Sequence, residues 1–153
     1  MRRTELEKND APLNGANLRV GLAVADFNSD ITLPMLHDAI RVLKENGVKD
    51  KNIFVAHVYG SFELPFAAQR LIRKRKLDAL VAIGCIVKGE TRHDEFLAQA
   101  TFEGLMRVGL DAKIPVGLGV LTTETIEQAQ ARSSGSTNHG GFAARAAIRA
   151  ALL

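Results

Sequence analysis

An alternation constrains this chain more than any other feature: four short apolar runs, each followed by a stretch of helical periodicity. Residues 18–25 are almost continuously apolar, which suits a strand buried on both faces rather than one half exposed to water. Residues 53–58, 79–83 and 116–121 read as three further strands. After the first run, Leu36, Ala39, Ile40, Val42 and Leu43 form the apolar face of a helix. Ser29 or Asp30 can cap it, Gly47 can end it, and Pro34 fits its first turn. Helices are expected over 63–76 and 93–110, a short one over 123–132, a loop over 133–141 and an alanine-rich helix over 142–153. Strands alternating with helices pair in parallel through right-handed crossovers. The expected product is one three-layer α/β domain over residues 18–153. The polar residues 1–17, with Pro12 and Gly15, read as an extended N-terminal arm.

Composition narrows the function classes. With 46% hydrophobic residues in 153, the chain can bury a full core. Its net charge of +3 comes with one Tyr and no Trp, so no basic surface is interleaved with aromatics and a nucleic-acid partner is not expected. The run Arg73-Lys74-Arg75-Lys76 ends a helix, where its charge complements the dipole. No apolar stretch is long enough to span a bilayer and no leader precedes the first strand, so no membrane partner and a cytoplasmic location are expected. Cys85 is the single cysteine, which excludes an intrachain disulfide and a cysteine-based metal cluster. Its place after a buried strand suits a small core residue better than a nucleophile.

Parallel α/β sheets bind ligands beyond the carboxyl ends of their strands, near a switch in strand order. Four loops therefore carry the functional reading. After the first strand stand Asp26-Phe27-Asn28; Phe27 either folds back onto the core or offers its face to a planar ring. After the second come Gly60-Ser61-Phe62-Glu63. Glu63 either complements a helix dipole or, with Ser61, hydrogen-bonds a polyol or heterocycle. After the third, Gly84-Cys85-Ile86-Val87-Lys88-Gly89-Glu90-Thr91-Arg92-His93 reads as a glycine-punctuated turn opening a helix. Its free backbone N–H groups make an anion pocket, and His93 beside it can move protons near neutral pH. After the fourth, Thr122 and Thr123 suit a helix cap, and Arg132 is either a surface residue or a forked donor set for a phosphate.

Read in order, these loops resemble the lumazine synthase (6,7-dimethyl-8-ribityllumazine synthase) family. The resemblance rests on Phe27-Asn28, on Gly60-Ser61-Phe62-Glu63-Leu64-Pro65, on residues 83–93, and on Gly119-Val120-Leu121-Thr122-Thr123-Glu124 with Gln128-Ala129 and Arg132. Asn138-His139-Gly140 is similar to the family's Asn-Lys-Gly. The resemblance implies a flavodoxin-like, four-stranded parallel sheet flanked by helices. It also implies a transferase of riboflavin biosynthesis that condenses a ribitylaminouracil with 3,4-dihydroxy-2-butanone 4-phosphate, giving the lumazine, phosphate and water without a cofactor or metal. In that reading Phe27 stacks on the pyrimidine. Asn28, Ser61, Phe62, Glu63, Val87 and Lys88 hold ring and ribityl chain. Glu90, Thr91 and Arg132 take the phosphate, and His93 shuttles protons. Leu118 and His139 complete the set, Leu118 standing where the family often has a Phe that serves a neighbouring subunit's pocket. A homo-oligomer is implied, a pentamer or multiples of it up to a sixty-subunit shell, with riboflavin synthase as a candidate partner.

The chain departs from the family pattern at Tyr59, where Pro is usual, at Asp94, where an aromatic is usual, and at Leu118 and His139. Two other readings compete. A non-catalytic flavin or lumazine binder, or a shell-forming protein of the same fold, would need neither His93 nor Arg132. A flavodoxin-type phosphate nest would need glycines or hydroxyls after the first strand, where Asp26-Phe27-Asn28-Ser29-Asp30 is acidic.

Overall fold

A computed structural model describes residues 11–153. Strands β1 (Val20–Ala25), β2 (Ile53–Val58), β3 (Ala79–Val87) and β4 (Val116–Thr123) form one all-parallel sheet in the order β2-β1-β3-β4. Helices α1 (Ser29–Glu45) and α5 (His139–Ala151) cover one face, and α2 (Leu64–Arg75) and α3 (His93–Ala112) the other. The short α4 (Ile126–Ala131) follows β4. This is the three-layer α/β architecture expected from the alternation, with the flavodoxin-like four-stranded parallel sheet that the resemblance implies.

The period of two in the central strands decides which side chain meets which layer. Leu22, Val24, Val81, Ile83 and Cys85 pack with Met35 and Leu43 of α1 and Ala144 and Ile148 of α5. Ala23, Ala25, Leu80, Ala82 and Ile86 pack with Leu64, Ala68 and Leu71 of α2 and Leu105 of α3. Each large aliphatic buried this way stabilises the fold by about 1.5–3 kcal/mol. Both central strands are buried on both faces, as near-continuous apolar runs require. The chain turns from β1 outward to β2 and then crosses to β3 on the other side, so the switch in strand order lies between β1 and β3.

The structure corrects several boundaries. β3 does not stop at Ile83 but runs to Val87, so Gly84 lies inside a strand rather than in a turn. The reason is spatial: a Cβ at Gly84 would stand 2.7 Å from Ser61 Oγ and 3.1 Å from Leu64 Cδ1. Helix α1 starts after Asn28, which adopts a left-handed φ of 59° and makes no side-chain cap, in place of the expected Ser29 or Asp30. Pro34 consequently falls in the second turn, where its ring removes one intrahelical donor. Helix α5 begins at His139 rather than at residue 142, because Asn138 caps it by accepting from Gly140 N at 2.9 Å. Gly140 and Gly141 then pass directly over Met35 and Asp38 of α1, where a Cβ would collide.

Of the expected arm, residues 1–10 lie outside the described residues. Within residues 11–17, three backbone groups are hydrogen-bonded to the domain. Asn46 Oδ1 accepts from Leu13 N at 2.9 Å, Asn46 O accepts from Gly15 N at 2.7 Å, and Arg145 Nη2 donates to Ala11 O at 3.0 Å.

Candidate active site

Beyond the carboxyl ends of β1, β2 and β3 opens a cavity of about 800 Å3, within the size range of small-molecule sites. Phe27, Ser61, Phe62, Glu63, Val87, Thr91 and His93 all line it. Each reaches the wall through a distinct local device.

Phe27 is 61% exposed at the end of β1, so it does not fold back onto the core. Backbone bonds tie its loop to β2: Asp26 N donates to Val58 O at 2.8 Å and Phe27 N to Tyr59 O at 2.9 Å. Beside it, Asp26 Oδ1 and His57 Nδ1 lie 2.7 Å apart. Asn28 also borders the cavity, yet its amide Nδ2 donates to Cys85 O at 3.0 Å. That bond joins the ends of β1 and β3 across the switch point.

Ser61 is buried at the cavity floor, in the space that Gly84 leaves open, and its carbonyl accepts from Thr101 Oγ1 at 3.3 Å. The neighbouring Glu63 turns its Oε2 back to Gly60 N at 2.9 Å, closing the one-turn 3-10 helix Ser61–Glu63. One carboxylate oxygen is thus committed to the turn; both structural and ligand-binding readings of Glu63 fit that geometry.

The loop after β3 spans residues 88–92. Thr91 Oγ1 accepts from His93 N at 3.4 Å, and Asp94 Oδ1 accepts from Gly89 N at 3.3 Å. His93 is exposed as the first residue of α3. Cys85 also lines the wall, but burial pushes its thiol up to about 11, which keeps it protonated and poorly nucleophilic at neutral pH.

Five residues singled out in the sequence are not on this wall. Lys88 Nζ pairs with Glu124 at 2.8 Å, and this hydrogen bond raises the ammonium's pKa. Glu90 is exposed in the loop. Arg132 caps α4 and donates through Nη1 to Gln128 O at 2.9 Å, within its own helix. His139 stands beside it, its backbone N donating to Arg132 O at 2.9 Å and its ring edge against Phe142 at 5.9 Å. Leu118, 51% exposed on edge strand β4, lines a separate shallow groove with Met106 and Leu110 of α3.

Sequence reading missed Tyr59, Asp94, Phe96, Leu97 and Ala100 as cavity residues. Helical spacing could have found three of them. Phe96, Leu97 and Ala100 stand at i+3, i+4 and i+7 from His93, so they share its face of α3. Among the described residues no group of His, Cys, Asp or Glu is arranged to hold a metal ion, and no helix is long and apolar enough to cross a membrane.

The cavity thus joins a flat aromatic face, buried and exposed hydroxyls, a carboxylate and an imidazole. Comparison with known proteins gives this combination a context. Residues 17–153 match the family model described as 6,7-dimethyl-8-ribityllumazine synthase. The chain is 43% identical to the 6,7-dimethyl-8-ribityllumazine synthase of Porphyromonas gingivalis, over 89% of this chain and 83% of that protein. It is 41% identical to the one from Phocaeicola vulgatus, covering 90% and 82% of the two chains, and 37% identical to the one from Parabacteroides distasonis, covering 95% and 91%.

Proposed function

Because the chain belongs to the 6,7-dimethyl-8-ribityllumazine synthase family, we propose that its cavity is the ring-binding half of that enzyme's active site. The protein condenses 5-amino-6-(D-ribitylamino)uracil with 3,4-dihydroxy-2-butanone 4-phosphate, as a transferase of riboflavin biosynthesis. The observation that carries this reading is the convergence of Phe27, Ser61, Glu63, Thr91 and His93 on one cavity wall at the switch point.

Phe27 holds the pyrimidine by its face, which orients the exocyclic amine for attack on the ketone. Such positioning supplies much of the acceleration when two substrates must meet. His93, at the rim, takes up and returns protons as the imine forms with loss of water, as phosphate leaves and as the second nitrogen closes the ring. The backbone donors and Thr91 hydroxyl of the 88–92 loop receive the leaving phosphate, whose charge needs donors in the transition state.

Arg132 completes the phosphate clamp by releasing Gln128 O, a rotamer change that leaves α4 in place. Leu118 and His139 serve the site of a neighbouring copy in a homo-oligomer, a pentamer or a multiple of it. The apolar Met106, Leu110 and Leu118, exposed at 64%, 69% and 51%, support a covering subunit there, since large apolar groups clustered at a surface mark contacts.

Incubation with both substrates tests the function: lumazine absorbance should rise in step with phosphate release. A protein that binds the lumazine yet never forms it would instead be the non-catalytic relative.

A further inference from the structure

Tyr59 interrupts the resemblance where the family usually has Pro, and the structure shows what it does with the space. It directly follows β2, is 80% exposed, and lines the same cavity as Phe27. The two rings lie 6.5 Å apart between centroids, tilted by 47°, within the range of a direct aromatic contact. The backbone adds a second tie, Tyr59 O accepting from Phe27 N at 2.9 Å. Phe27 is therefore fixed by Tyr59 at main chain and ring together. Among the described residues no partner is found for the Tyr59 hydroxyl, which leaves it able to donate and accept at the cavity rim.

A lone exposed aromatic needs no explanation. Here the ring touches Phe27, lines the cavity and carries a polar tip open to solvent rather than tied to the protein, and these three properties together describe a ligand contact. Tyr and Trp suit such places because one end is apolar and the other wet.

We propose that Tyr59 is a substrate-binding residue: its ring forms a second aromatic wall beside Phe27, and its hydroxyl hydrogen-bonds the polar edge of the bound heterocycle. The inference rests on the cavity being the ring site of a lumazine synthase. It makes affinity for the ring compounds in this chain depend on a residue the usual family pattern lacks.

The test uses the full-length protein, its Tyr59→Phe and Tyr59→Ala variants, and two ligands, the ribitylaminouracil and 6,7-dimethyl-8-ribityllumazine. Loss of the ring should raise KM for the uracil and Kd for the lumazine by about two- to tenfold, the weight of one aromatic contact. Turnover and KM for the ketose phosphate should stay at parental values, because ground and transition states lose the contact equally. Tyr59→Phe should keep the ring's share and lose the hydroxyl's, falling between parent and Tyr59→Ala. A merely structural role would move melting temperature and both Michaelis constants together. A spectroscopic readout is also built in. With one Tyr and no Trp in the chain, emission excited beyond the phenylalanine absorption band comes from this ring alone and should be quenched as lumazine binds. Parental lumazine affinity in both variants overturns the proposal; if Tyr59→Ala does not fold, Tyr59→Phe decides it. A parent that binds lumazine but forms none removes the catalytic reading while leaving the Tyr59 comparison of Kd intact.

Discussion

Two corners of the sheet's carboxyl edge differ in how complete they are. At the β1–β3 switch point, aromatic, hydroxyl, carboxylate and imidazole groups already face one cavity, with Phe27 tied to the loop after β2, Ser61 to α3 and Glu63 to its own turn. Beyond β4, Arg132 spends a guanidinium donor on its own helix, His139 packs against Phe142, and Leu118 looks outward from the sheet edge. The contrast teaches that one chain can build its proposed ring-binding surface in advance while leaving its strongest candidate phosphate ligand hydrogen-bonded to its own helix. Ring recognition depends on shape, which packing can fix early. Charge is cheaper to keep hydrogen-bonded until an anion arrives.

The largest expected effect tests whether the first corner does chemistry as well as binding. His93→Ala should lower turnover by about 10²–10⁴-fold with substrate affinities nearly kept, and the shape of the pH–rate profile should change. Full turnover with an unchanged profile would reduce this corner to a binding surface. Next, Arg132→Ala should weaken binding of inorganic phosphate and of the ketose phosphate by about 1.5–3 kcal/mol, the worth of a charge-assisted contact, while uracil affinity holds. Phosphate binding equal to the parent's would make the second corner structural only. Gly84→Ala probes how firmly the first corner is preset. The added methyl group, 2.7 Å from Ser61 Oγ, should cost about 1–3 kcal/mol of stability through overpacking and turn Ser61 from its place, seen as a lower melting temperature with weaker uracil binding. Unchanged stability and affinity would mean that the floor adapts freely. The smallest effect belongs to Phe27→Ala, a rise of about two- to tenfold in KM for the uracil with turnover kept; an unchanged KM removes the stacking role.

Much of this was legible because buried parallel strands announce themselves as apolar runs, and because the carboxyl-end rule points to the right loops. What stayed hidden is mostly glycine read as punctuation. Gly84 suggested a turn, and Gly140-Gly141 suggested a loop, yet both lie within regular elements where another chain segment passes too close for a Cβ. Sequence displays a missing side chain; it does not display the neighbour that requires it to be missing. Asn28 shows the same limit. Its type allowed a left-handed residue or a ligand donor, and only the proximity of Cys85 O settles where its amide points. Tyr59 stayed hidden for the converse reason, since its cavity forms only when three strands are laid side by side, whereas the Phe96 face of α3 was readable from its spacing to His93.

The Asn28 bond to Cys85 O has a kinetic consequence. The only thiol of the chain belongs to the residue whose carbonyl takes that bond, and it is 3% exposed with its acidity suppressed by burial. A thiol-alkylating reagent therefore reacts only during excursions that expose this side chain at the cavity wall it lines. Labelling rates then become a clock for the breathing of this corner of the sheet, and any ligand held in the cavity should slow that clock in proportion to its occupancy.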